Sequence, residues 1–282
     1  MIAAQEGTWN SGMPYLRAGT GPPLLFMPGL SNHHRPPRGF DRRTQLGQIA
    51  PWTTTRRVWW VNRRPGLQPG TTMADLARDY AEAMPDHFPG PVDVLGVSTG
   101  GSVALQLALD HPALVRRLVL VASAHRLGPG REVQRRAAAA VREGHPRRAM
   151  AELAATTGAR WWSRRLLWTL GWLLEPSGAR HGYDDFLAVA EAEDRFDVTA
   201  RLPEVSCPVL VVGGDRDGFY GAALFREAAA AVPRGRALVH PGVGHLGVIT
   251  GERSVRDASS FLDTPDAPDF PGNWRAPSGT AG

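Results

Sequence analysis

The sequence predicts an α/β fold: a doubly wound, mostly parallel sheet, the arrangement of the α/β class, carrying an inserted block of helices. Three observations point there. Short, continuously apolar runs alternate with stretches of helical period, Gly and Pro punctuate the chain regularly, and between about residues 125 and 199 the strand-like runs cease. A chain of 282 residues with 43% hydrophobic content can bury one large core, or a core with an insertion.

Six runs read as buried strands: 23–27 (PLLFM), 58–61 (VWWV), 92–97 (VDVLGV), 115–122 (VRRLVLVA), 208–212 (PVLVV) and 236–239 (RALV). Continuous apolar runs of this length suit parallel strands covered on both faces. Residues 73–88 have helical period, with Thr71 and Thr72 placed to cap the helix and Leu76, Tyr80, Ala83 and Met84 on one face, and Pro85 ends it. Residues 102–109 are apolar nearly all round, as in a helix buried against a sheet, and 219–232 and 254–262 complete the alternation.

The insertion reads as four helices, 131–143, 146–157, 161–175 and 183–195. The expected domains are therefore a core of residues 1–124 and 200–263 and an insertion of residues 125–199. From about Thr264 the chain is rich in Pro, Gly and small polar residues with little to bury, which predicts a disordered tail at 264–282.

Composition narrows the functional classes. Cys207 is the single cysteine, so no intramolecular disulfide forms, and no basic segment with an apolar stretch follows Met1; a reducing cytoplasm is the expected compartment. The longest strongly apolar run, residues 166–174, is interrupted by Thr169 and Gly171 and is too short to span a bilayer, which takes about 20 residues. A net charge of +5 and a pI near 10.2 would ordinarily raise a nucleic-acid or membrane-surface partner. Every one of the 32 basic residues is arginine, however, which reads as codon bias, and no nucleic-acid partner is expected.

Chemistry concentrates at GVSTG, residues 96–100. A serine with glycines two before and two after, between a strand and a helix, fits a tight turn that presents a nucleophile; the small residues let strand and helix approach. The following helix also turns its N–H groups toward the site. Serine needs a base close by and an acid to orient that base. Downstream, PVLVVGGDRDGFY (208–220) ends a strand and offers Asp215 and Asp217, and RALVHPGVGHLG (236–247) places His245 in a glycine-rich loop.

The order Ser98, Asp217, His245, with GVSTG, GDRD and GVGH at suitable separations, resembles the α/β-hydrolase superfamily over roughly residues 8–262. Weaker matches are MPGLS (27–31) and NRRPG (62–66). The resemblance implies the α/β-hydrolase fold with a helical cap. It also implies Ser98 as nucleophile, His245 as base, Asp217 as the orienting acid through the pattern Gly-x-x-Asp at Gly214, and backbone N–H groups of Leu30 and Thr99 as the oxyanion hole. Asp215 is read as turn-forming. Where most relatives have His-Gly before the oxyanion donor, this chain has Pro28-Gly29, which bears on how the loop is held. Thr99 in STGG is similar to the turn of cofactor-free haloperoxidases, whereas the long insertion is closer to capped esterases and carbon–carbon bond hydrolases.

The insertion is expected to shape the substrate pocket. RWWSRRLLWTLGWLLEP (160–176) holds four of the nine tryptophans, and Trp161, Trp168 and Trp172 share one helical face. Ordinary packing within the insertion is the first reading of this face, pocket lining the second, and contact with a lipid surface the least favoured. Residues 126–180 hold eleven arginines against four glutamates and no aspartate, a net +7. His33, beside His34 in the presumed oxyanion loop, is a further substrate-side candidate. Two adjacent histidines without a third ligand make no metal site, so neither metal nor cofactor is expected.

The function expected is that of a serine hydrolase cleaving a carboxylic ester or related acyl bond of a fairly apolar small molecule through an acyl-enzyme. Carbon–carbon bond, lactone or thioester hydrolysis, perhydrolase-like or acyltransferase activity, and a non-catalytic ligand-binding role stand as alternatives. The oligomeric state is left open.

Overall fold

The computed structural model describes residues 2–175 and 182–264. The strands are β1 (Gln5–Thr8), β2 (Pro14–Ala18), β3 (Pro23–Met27), β4 (Arg57–Val61), β5 (Val92–Val97), β6 (Val115–Val121), β7 (Val209–Gly214) and β8 (Gly235–His240). They form one sheet in the order β1-β2-β4-β3-β5-β6-β7-β8. The first two join antiparallel, and every pairing from β4 to β8 is parallel.

Neighbouring strand residues feed opposite faces, as the pleat requires. Leu25, Met27, Val94, Leu118, Leu120, Val209 and Val211 enter one apolar cluster, while Leu24, Phe26, Leu95, Val97, Val119, Val121, Leu210 and Val212 enter the other. The first cluster is covered by α2 (Met73–Ala83), α3 (Thr99–Asp110) and α8 (Ala222–Ala231). The second is covered by α1 (Gly39–Ile49), α9 (His245–Thr250) and α10 (Glu252–Leu262). This two-sided burial explains the uninterrupted apolar runs of the parallel strands.

The six predicted strands match β3 to β8 within two residues, and α2 has its cap at Thr72, whose side chain accepts from Asp75 N at 3.1 Å. Sequence reading missed β1, β2 and α1. QEGT and PYLRA are short, partly polar strands at the antiparallel end of the sheet, and α1 buries only Leu46 and Ile49, so its apolar stripe is faint. The helix expected to start at Phe219 begins at Ala222, because Phe219 and Tyr220 spend their backbone N–H groups on the Asp217 carboxylate.

Between β6 and β7 stand α4 (Gly130–Arg142), α5 (Pro146–Thr156), α6 (Trp161–Leu174) and α7 (Asp184–Arg195). They have a small core of their own, in which Ala137, Val141, Ala149 and Phe186 meet and against which Leu30 packs. Most of the predicted tail lies outside the described residues. Among the described residues no helix is long and apolar enough to cross a membrane.

Candidate active site

Because β5, β7 and β8 run parallel, the loops that follow them open on one edge of the sheet. Ser98 follows β5 directly. Its backbone is held at φ 51° and ψ −126°, a conformation that an L-residue adopts only when its surroundings enforce it. Two features enforce it here. Ser98 N donates to Val121 O on β6 at 2.9 Å, and the flanking glycines permit a backbone approach that closes the turn. A Cβ on Gly96 would stand 2.5 Å from Gly100 O and Gly101 Cα, and one on Gly100 would stand 2.5 Å from Pro28 O.

Three side chains from three loops meet above this turn. His245 Nδ1 donates to Asp217 Oδ2 at 2.7 Å, which leaves Nε2 as an acceptor facing Ser98 Oγ at 3.1 Å. The other oxygen of Asp217 accepts from Phe219 N at 2.8 Å and Tyr220 N at 3.1 Å, fixing the carboxylate. Asp217 and His245 are both buried, and the rings of Phe219 and Tyr220 flank the imidazole. Asp215 lies elsewhere: its carboxylate accepts from Gly242 N at 2.7 Å and shapes the turn after β8.

The loop after β3 abuts the serine, since a Cβ on Gly29 would come within 3.4 Å of Ser98 Cβ. Leu30 follows at once and packs into the apolar clusters. Thr99 is the first residue of α3, so its N–H has no carbonyl partner within the helix.

Four groups hold this region, of which sequence reading singled out only His34, and that for a different role. Arg63, fully buried, donates to Pro28 O at 3.0 Å, Gly29 O at 2.6 Å and, through Nε, to His34 Nε2 at 3.2 Å. It holds the loop in which Pro28 stands in place of histidine. Since His34 Nε2 accepts, its Nδ1 carries the proton and donates to Arg64 O at 2.9 Å. Burial, together with the Arg63 charge, lowers the His34 pKa to about 3, so the ring is neutral. His33, by contrast, is exposed.

The other two groups come from α7. Asp185 accepts from Gly66 N at 2.8 Å and Leu67 N at 2.9 Å, gripping the loop after β4. Glu193, buried against the start of α3, accepts from Thr99 Oγ1 at 2.7 Å, Ser102 Oγ at 3.1 Å, Gln134 Nε2 at 3.2 Å and Tyr220 OH at 3.2 Å. Burial pushes its pKa up, while the four donors oppose that shift.

A turn that strains one serine, a buried imidazole–carboxylate pair against it and a parallel sheet behind them agree with the family comparison. The model of the alpha/beta hydrolase family matches residues 7–257. The chain belongs to that family. Among similar sequences is the Mycobacterium tuberculosis protein named "Putative non-heme bromoperoxidase BpoC", 28% identical over 266 residues that cover 85% of this chain and 93% of that one. Solved structures of the same fold include an esterase from Thermogutta terrifontis, at 23% identity and TM-score 0.69 over 92% of this chain and 98% of that one. Another is the enol-lactonase from Burkholderia xenovorans LB400, at 20% identity and TM-score 0.70 over 92% and 99% of the two chains.

Within this hydrolase, α6 lies between the two sides of the site. At its N-terminal end Leu246 N, next to His245, donates to Thr157 O at 3.2 Å. At its C-terminal end Asn32 Nδ2 donates to Glu175 Oε2 at 3.1 Å. Trp168 and Trp172 stack on each other with centroids 5.4 Å apart, and Trp161 is exposed. Among the described residues none of α6 is fully buried, and Trp168 and Trp172 stand only partly covered. Helix α6 packs on α5, where Gly171 lies against Met150, Ala151 and Ala154.

Proposed function

We propose that the protein is a serine hydrolase that cleaves a carboxylic ester, or a related acyl bond, of a fairly apolar small molecule through an acyl-enzyme. The observation that carries this reading is the relay from Ser98 Oγ to His245 Nε2 and from His245 Nδ1 to Asp217, at 3.1 and 2.7 Å. In this reading Ser98 attacks the carbonyl carbon while His245 takes its proton, and Asp217 stabilises the resulting imidazolium. The N–H groups of Leu30 and Thr99 receive the oxyanion, at a helix N-terminus whose partial positive charge suits it. His245 then returns the proton to the leaving group and activates a water that attacks the acyl-enzyme. No step calls on a metal or cofactor.

Residues 125–199 act as the cap in this proposal, over a core formed by 1–124 and 200–263. The stacked Trp168 and Trp172, on the helix that runs between the His245 and Asn32 loops, support an apolar wall at the site; Trp161 and His33 are exposed at its margin. Residence in the reducing cytoplasm is part of this proposal, supported by Cys207 being the single cysteine of the sequence.

Intact mass after treatment with a fluorophosphonate tests the assignment. Wild type is expected to gain one adduct and Ser98→Ala none. Absence of an adduct on wild type, under conditions that label a control serine hydrolase, refutes an activated serine.

A further inference from the structure

The proposed apolar wall uses one face of α6 and leaves the face turned away from α5 unexplained. This helix exposes Trp161 (72%), Trp162 (50%), Leu166 (54%) and Leu173 (68%). Exposed apolar surface of this kind and continuity marks a docking face, since a single-chain protein ordinarily covers it. The face opposite α5 consists of Trp162, Leu166, Thr169 and Leu173, which helical geometry places together at spacings of three and four residues.

Charge selects the occupant. The arginines of α4 and α5 are largely neutralised: Arg131 and Arg135 pair with Asp194, Arg142 with Glu191 and Arg148 with Glu152. Arg160, Arg164 and Arg165, at the start of α6, form no ion pair among the described residues, and no acidic residue occurs from Arg160 to Leu174. Arg164 turns toward the α5 side, where its Nε donates to Gly158 O at 3.1 Å, whereas the exposed Arg165 and Arg160 flank the Trp162–Leu166 end of the face with uncompensated positive charge.

We propose that α6 is an interfacial helix that docks the protein on an anionic lipid bilayer. Its 14 residues extend about 21 Å, too short to span the hydrocarbon core of roughly 30 Å, so it lies in the plane of the interface. Tryptophan suits that depth, with an apolar body and a polar N–H, and the arginines reach the lipid phosphates. The attraction to anionic lipid is electrostatic and weakens with salt. Because α6 runs between the two sides of the candidate active site, docking there would bring the site to the membrane surface.

Cosedimentation with phosphatidylcholine vesicles, and with vesicles enriched in phosphatidylglycerol, tests the proposal. Wild type is expected to bind the anionic vesicles at least about tenfold more tightly than the neutral ones, and to be released by salt. The double variant Trp162→Glu/Leu166→Glu, altered only at exposed positions, should lose that binding while keeping the wild-type thermal unfolding curve. A second variant, Arg160→Glu/Arg165→Glu, should bind anionic vesicles several-fold more weakly, and Ser98→Ala should bind as wild type does, which separates docking from the hydrolase reading. Equal affinity for both vesicle types, or undiminished binding by the Trp162/Leu166 variant, overturns the proposal. So does sedimentation equilibrium showing a wild-type dimer that the same double variant converts to monomer, with no vesicle binding by either.

Discussion

Arg63 offers the sharpest test of how the site is held. The guanidinium is buried and fixes the carbonyls of Pro28 and Gly29 at 3.0 and 2.6 Å, one residue before the backbone N–H proposed to bind the oxyanion. Replacing it by methionine keeps much of the volume and removes every donor. Two carbonyls and His34 Nε2 then lose their partner, at roughly 1–3 kcal/mol each. Against that loss stands the removal of a buried charge, whose desolvation costs several kcal/mol and already lowers the Arg63 pKa. The two effects largely oppose each other in stability, so Arg63→Met should unfold only a few degrees below wild type. Turnover has no such offset. Loss of one well-placed oxyanion donor costs about 10²–10³ in kcat, or about 2.7–4 kcal/mol, and a loop released from Arg63 forfeits much of that. Hydrolysis of a chromogenic p-nitrophenyl ester should therefore show kcat down by about 100-fold, with KM changed by less than about threefold. Arg63→Lys, which keeps the charge but not the fork of donors, should fall between the two. If both variants fold and turn over within about threefold of wild type, the loop is held by other means and Arg63 has no positioning role.

Asp217 and Asp215 should separate cleanly. Asp217→Asn removes the acceptor that sets the His245 tautomer and should lower kcat by about 10⁴-fold, whereas Asp215→Asn, at the turn after β8, should stay within about tenfold of wild type. His34 links stability to pH. Its folded pKa of about 3 lies below the ordinary 6.5, so the unfolded chain binds the proton more readily. This contribution is complete above the ordinary value and is lost as pH falls toward the folded one, amounting to roughly 2 kcal/mol by about pH 5. Urea midpoints measured across that window should fall less steeply for His34→Gln; an unchanged slope would show that the ring is not buried neutral.

The candidate site was legible in the sequence because the turns that bring Ser98, Asp217 and His245 together depend on local patterns. Gly96 and Gly100 betray a turn that tolerates no Cβ, and Gly214 with Asp217, like Gly244 with His245, announces a loop at a strand end. The groups that hold the site were not legible. Arginine and glutamate are ordinarily exposed, so nothing local distinguishes Arg63 or Glu193 from their many surface counterparts. Their partners are also distant in sequence, with Arg63 reaching back to Pro28 and Glu193 reaching Thr99 from inside the insertion. The tryptophans of α6 were read from periodicity, and periodicity identifies a face without identifying what covers it.

The insertion is attached to the core unequally, and that bears on where specificity arises. Helix α7 is anchored along its length: Asp185 binds the backbone after β4, and Glu193 binds the first turn of α3, including the residue after Ser98. A substitution at either acid therefore acts on the machinery of the site as well as on the cap. Helix α6 is tied to the core at its flanks, where Thr157 O before it accepts from Leu246 N beside His245 and Glu175 after it accepts from Asn32. Changes at Leu166, Thr169 or Leu173 can then alter what the protein meets at its surface without disturbing Ser98, His245 or Asp217. The groups proposed to react are thereby held by the sheet and α7, while α6 is the element on which the proposed substrate access and surface attachment can vary independently of them.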